Sequence, residues 1–175
     1  MIPKTTTDAV NYLILALMIG GSVFVYGNLP ERIPIHYGID GTPDRFAGTS
    51  WLSWMLLPGL AVLLTAMMYG IGRLLYRWPD QLNTPHQKAY RALPPEAKRV
   101  VIADQEQMLA IVTLGMNVMF AVLQYRGYLT ATGQAEGLGW ISWGAIVGFT
   151  VATLALCIRA VAKTGDLIKR LSAEA

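Results

Sequence analysis

The sequence predicts an all-α, polytopic membrane protein: a four-transmembrane-helix bundle with an ordered extracytoplasmic loop between helices 1 and 2. Three observations carry that prediction. Only 14 % of the 175 residues are charged and 54 % are apolar, whereas a soluble domain carries roughly 25 % charged residues. Four apolar runs approach the ~20 residues that cross a bilayer core. Lys and Arg gather almost entirely on one side of those runs.

The chain, 1–175, reads as a single membrane domain. Its first span covers Val10 to Tyr26 and is short, at 17 residues. A turn-rich loop over 27–51 separates it from the second span, 52–76, which contains Pro58. A cytoplasmic loop follows over 77–105. Its first part, "RWPDQLNTPHQ", is rich in turn residues. Its second part, "LPPEAKRVVIADQEQM", opens a helix, with Pro95 suited to the first turn and Glu96 favourable at the positive helix end. No breaker follows before Gly115, so one long helix should lead into the third span, 108–125. The fourth span is 140–158. Backbone groups in hydrocarbon must be satisfied within their own segment, which makes all four spans helical.

Direction follows from the basic residues. Arg73, Arg77, Lys88, Arg91, Lys98 and Arg99 flank or occupy the 77–105 loop. Arg159, Lys163, Lys169 and Arg170 follow span four, and Lys4 precedes span one, making eleven on one side. Only Arg32, Arg45 and Arg126, three residues, fall on the other. Both termini are therefore expected in the cytoplasm, in the bacterial cytoplasmic (inner) membrane. The net charge of +3 is a topology signal and implies no nucleic-acid partner. Span one is expected to be retained, because "YGNLPER" offers no small-x-small cleavage site. Trp51, Trp54, Trp140 and Trp143 fall at the outer span ends, as an interfacial aromatic belt does. The lone Cys157 reads as a small apolar packing residue.

Inside the spans, Asn117 is expected to hydrogen-bond a neighbouring helix, and Gly144 with Gly148 to form a helix-packing face. No Asp, Glu, Lys or Arg occupies a span centre, which argues against a proton relay or ion pathway.

The informative stretch is "LPERIPIHYGIDGTPDRF", residues 29–46. Pro30 and Pro34 push the residues before them toward extended backbone. From Arg32 to Asp40 the pattern alternates: Ile33, Ile35, Tyr37 and Ile39 are expected on one side, and Arg32, His36 and Asp40 on the other. Asp40-Gly41 with Pro43 signals a turn. The loop is thus expected to be ordered and packed on the helix ends. His36, Asp40 and Asp44 offer imidazole and carboxylate ligands for a divalent metal. In a straight strand His36 and Asp40 would stand about 13 Å apart, so a shared ion needs a bend, for which Gly38 is placed. The other reading has the two aspartates capping turns and His36 bonded to backbone. His36 is expected to be the centre of the outer face, because imidazoles as a class change charge near neutral pH. Asp44 and Arg32 are its expected neighbours, and His36, Asp44, Arg32 and Asp40 form the expected ligand-binding set.

"LPERIPIHYGIDGTPDRFAGTSW" resembles the N-terminal membrane domain of SdpI-type bacterial proteins. The matching elements are Leu29-Pro30, Ile33-Pro34-Ile35-His36 and Gly41-Thr42-Pro43-Asp44, and the resemblance covers about residues 10 to 75. It implies a membrane protein whose His and Asp are His36 and Asp44. It also implies a role in immunity against a secreted antimicrobial peptide. Three functions compete. The first is a non-enzymatic immunity, sensor or binding protein whose outer loop recognises a peptide or lipid. The second is an accessory subunit beside a larger membrane-protein partner, or a homo-oligomer. The third is a metal-binding protein or membrane enzyme that uses the outer loop. No Ser/His/Asp or Cys/His set, HExxH or phosphate loop is present, so no catalytic residue and no cofactor other than the metal is expected.

Overall fold

A computed structural model describes residues 3–174. Helix α1 spans Lys4–Val25 and ends in a 3-10 turn, Tyr26–Asn28. Strands β1, Arg32–Tyr37, and β2, Pro43–Gly48, form an antiparallel hairpin. Helix α2 spans Trp51–Arg77, and a second 3-10 turn, Pro79–Gln81, leads to the short α3, Gln87–Ala92. Helices α4, Pro95–Ala131, and α5, Gly139–Ala173, complete the chain. Helices α1, α2, α4 and α5 are each long and apolar enough to cross a membrane. The protein is an all-α polytopic bundle with one small hairpin.

Local sequence explains where the elements begin. Ser50 and Ser53 cap α2 reciprocally: each side-chain oxygen accepts from the other residue's backbone N–H, at 3.1 and 3.0 Å. Pro95 occupies the first turn of α4, whose 37 residues run unbroken into the span as expected. At about 1.5 Å per residue, α4 is some 55 Å long. It therefore projects well beyond a hydrocarbon core of about 30 Å.

The spans are packed unevenly. Leu15 and Met18 of α1, Ala61 of α2, and Met116 and Phe120 of α4 form the membrane-level core. A polar ladder runs through it. Asn117 Nδ2 donates to Asn11 Oδ1 at 3.0 Å, and Thr65 Oγ1 donates to Asn117 Oδ1 at 3.1 Å. Asn11 Nδ2 in turn donates to the Ala110 carbonyl at 3.0 Å. Helix α5 stands outside this core against α4, and none of its most apolar 18 residues is buried. A second core lies beyond the membrane level at the basic end. There Tyr90 and Leu93 meet Ala97 and Val101 of α4 and Ile168 of α5.

Four expectations change. The last helix does not stop with the span expected to end at 158: α5 continues to Ala173, where Thr164, Gly165 and Ile168 are buried and Ile168 joins the second core. The loop's apolar residues do not share one side. Ile33 is buried, but Ile35 and Ile39 are exposed, 52 % and 94 %. Trp54 is no belt residue: it is buried, and its Nε1 donates to the Ser22 carbonyl at 2.9 Å. Gly144 and Gly148 are not a tight packing face, since a Cβ at either would meet nothing within 4 Å. The close approach uses Gly115 of α4, where a Cβ would lie 3.1 Å from the Phe149 ring.

Candidate functional site at the hairpin end

The hairpin is irregular in a way that sets its chemistry. Pro34 faces Phe46, His36 faces Arg45, and Tyr37 faces Pro43. Ile35 is therefore an extra residue on β1 and Asp44 an extra residue on β2. Each bulge leaves one residue unpaired and re-aims the side chains around it. Ile35 is displaced into solvent, while His36 and Asp44 are brought side by side. His36 Nδ1 and Asp44 Oδ1 lie 2.6 Å apart, and both side chains are 49 % exposed.

The other expected site residues do not join them. Asp40 belongs to the turn: its Oδ1 accepts from the Thr42 backbone N–H at 3.0 Å, and both carboxylate oxygens lie 2.8 Å from the Thr42 hydroxyl. The Thr42 backbone N–H, and then its hydroxyl, hold the Asp40 carboxyl below its usual range. Arg32 stands opposite Gly48 at the far end of the strands, exposed, and its side chain makes no hydrogen bond or ion pair among the described residues. Among the described residues, no three of His, Cys, Asp and Glu come together in a way that could hold a metal ion.

The tip of the hairpin is docked. Gly41 takes a left-handed conformation, φ 79°, closing a turn in which Gly38 N–H donates to the Thr42 carbonyl at 2.8 Å. The Gly41 carbonyl then accepts from the Leu138 N–H at 2.9 Å, tying the tip to the α4–α5 connection. Any Cβ at Gly137 would collide with that same carbonyl oxygen. Arg126, near the end of α4, secures the connection from below. Its Nε donates to the Leu138 carbonyl at 2.8 Å and its Nη2 to the Gly137 carbonyl at 2.7 Å. Tyr37 packs beside it, and burial raises the pKa of its hydroxyl, an effect that Thr130 and Arg126 partly offset. Sequence reasoning missed this clamp. The available signal was one arginine at the end of an apolar span, followed by "GQAEGLG".

Beneath the hairpin end, a cleft of about 400 Å³ runs between α1 and α4. Met18, Ser22, Trp54, Gln124 and Tyr128 are among its lining residues. Its polar groups are tied together: Gln124 Nε2 donates to Ser22 Oγ at 3.1 Å and to the Trp54 carbonyl at 3.3 Å.

With this geometry in view, the comparisons divide the molecule. Residues 13–70 match a domain of unknown function, DUF1648. The match runs from within α1, through the hairpin, into α2. It holds Arg32, His36, Asp40 and Asp44, and leaves out Arg126 and α5. An uncharacterized protein of Archaeoglobus fulgidus is 31 % identical over 93 residues, 47 % of this chain and 50 % of the relative. The chain thus spans about half the length of the curated relative it matches. No solved structure matches it.

Proposed function

We propose that this chain is a non-enzymatic, SdpI-like immunity or sensor protein of the bacterial cytoplasmic membrane, and that its hairpin end faces outward and recognises a peptide or lipid. The observation that supports this reading is the His36–Asp44 pair. Two bulges and a docked tip hold these side chains together where they remain half exposed. Even a fully ionic exposed pair contributes only about 0–1 kcal/mol, so stability is a weak reason to build this contact. Side by side, an imidazole and a carboxylate suit an ammonium group or backbone amide arriving from outside. The cleft between α1 and α4 offers an amphiphile's apolar part a place on the same end of the molecule. The split of eleven basic residues against three supports an outward hairpin with both termini inside.

The test has two arms. In intact cells, with Cys157 replaced by Ser, a cysteine at Gly133 should label from outside and one at Gln87 should not. In cells challenged with membrane-active peptides, the wild-type chain should protect. His36→Asn and Asp44→Asn should then lose protection while keeping the melting temperature within about 2 °C, under ~1 kcal/mol for a chain of this size. Loss of stability and protection together, with alanine worse than asparagine, would make the pair structural. A stable, fully protective His36→Ala protein would remove it from the site.

A further inference from the structure

We infer that the seam between α4 and α5 is a binding site for one anionic phospholipid of the leaflet at the basic end. The seam is an open groove. Its membrane-level part has a volume of about 470 Å³ and is lined by Gly115, Val118, Gly144, Gly148, Phe149 and Leu156, among others. It continues into a second cavity of about 340 Å³ that shares Ile111 and Leu156 with the first. The second cavity begins apolar, at Met108, Ile111 and Leu156, and ends polar, at Asp104, Gln107, Arg159 and Lys163. A third cavity, about 330 Å³, shares Arg159 and Lys163 and reaches Asp166 and Arg170. One continuous groove therefore runs from glycine-lined hydrocarbon to a charged mouth.

Charge and depth select the occupant. Arg159 and Lys163 lie one helical turn apart on α5 and both line the mouth. Lys163 is paired with Asp104, so the two neutralise each other. Arg159 has no ion pair or hydrogen bond among the described residues. Asp166 and Arg170 also line the mouth, so its three cations, Arg159, Lys163 and Arg170, face two carboxylates, Asp104 and Asp166, and the net charge of +1 complements a single phosphodiester. From Trp140 to Arg159 is nineteen residues along α5, about 29 Å at the helical rise. That is one hydrocarbon thickness. With Trp140 at one interface, Arg159 sits at headgroup level in the other. Basic pockets between membrane helices favour anionic headgroups, and an acyl chain fills the groove that Gly144 and Gly148 leave open. This inference does not depend on the hairpin: a His36→Asn protein should keep the site.

Native mass spectrometry of the full chain in mild detergent tests it. Phosphatidylglycerol and phosphatidylcholine of identical acyl composition are offered, with inorganic phosphate as a separate competitor. Phosphatidylglycerol should be retained at one copy and preferred about fivefold, the selectivity expected for one cation near an anionic surface. Arg159→Gln should abolish the preference. Gly148→Leu, which fills the groove, should lower retention of both lipids while leaving the mouth intact. Equal retention of the two lipids would mean ordinary annular lipid and overturn the proposal. So would displacement by phosphate alone, which would mark a free-anion site. So would undiminished phosphatidylglycerol binding by a folded Arg159→Gln or Gly148→Leu protein.

Discussion

The two faces of α4 are held by opposite means. Toward α1 and α2, the helix is fixed at membrane level by Asn117, which bonds both Asn11 and Thr65. Gln124 repeats the device one level up, donating to Ser22 and to the Trp54 carbonyl. Toward α5 no hydrogen bond crosses at membrane level among the described residues. That face is held at its ends. Arg126 and the hairpin tip clamp the α4–α5 connection at the hairpin end. Gln105 with Thr164, at 2.7 Å, and Lys163 with Asp104 clamp the basic end. Without a hydrophobic force between helices in lipid, polar pairs are what specify a single arrangement. The first face therefore has one register. The second keeps a groove between its clamps.

The largest effect should come from cutting a clamp. Arg126→Gln removes charge-assisted bonds to the Leu138 and Gly137 carbonyls, each worth about 1.5–3 kcal/mol. Allowing for partial solvent compensation, the expected cost is about 3 kcal/mol, a drop of roughly 6–12 °C for a chain of this length. Hydrogen exchange in 38–48 should quicken with it, because the tip rests on the connection that Arg126 holds. An unchanged melting temperature would show that α5 is held by something other than its ends.

Asn117→Ala cuts the other face and should cost less. Two side-chain bonds are lost, and intramembrane bonds average about 0.6 kcal/mol with a maximum near 1.7. About 1–2 kcal/mol is expected, with hairpin exchange unaltered. If the hairpin loosened as much as in Arg126→Gln, the two faces of α4 would not be independent.

How much of this the sequence announces depends on how local each signal is. The spans are legible because apolar length is a property of a single segment, and the start of α4 because Pro94-Pro95 and Glu96 act within one turn. The order of the hairpin is legible from its prolines and from Asp40-Gly41. The ladder is only half legible. Asn117 announces a partner, but nothing in "VNYLIL" marks Asn11 as that partner, since the choice is made by how α1 and α4 cross. The bulges are not legible. They are irregularities in the pairing of β1 with β2, and strict alternation, which ignores them, places Ile35 beside Ile33 and keeps His36 and Asp44 on an undistorted ladder. The clamp joins residues 126, 137 and 41, and no spacing rule connects a span end to a hairpin tip. The same reason hides α5's last turns: their buried face exists because α3 and the start of α4, distant in sequence, meet it.

Single methyl groups probe the α4–α5 seam most finely. Gly148→Ala adds a methyl group on the α5 side of the seam, where a Cβ meets nothing within 4 Å. Replacing an interior helical glycine with alanine gains up to about 1 kcal/mol in helix propensity, and here nothing opposes the gain. Gly115→Ala adds the same methyl 3.1 Å from the Phe149 ring, so the ring must turn aside and the gain is largely offset. Melting in a fixed detergent and lipid mixture should therefore show Gly148→Ala equal to or slightly above wild type, and Gly115→Ala equal or slightly below. A fluid acyl chain in the groove tolerates one methyl, so this order should persist in lipid. A loss above ~1 kcal/mol at Gly148 would mean that a rigid surface, such as another protein's helix, lies along the seam. The α5 face would then be as closely specified as the face that Asn117 holds.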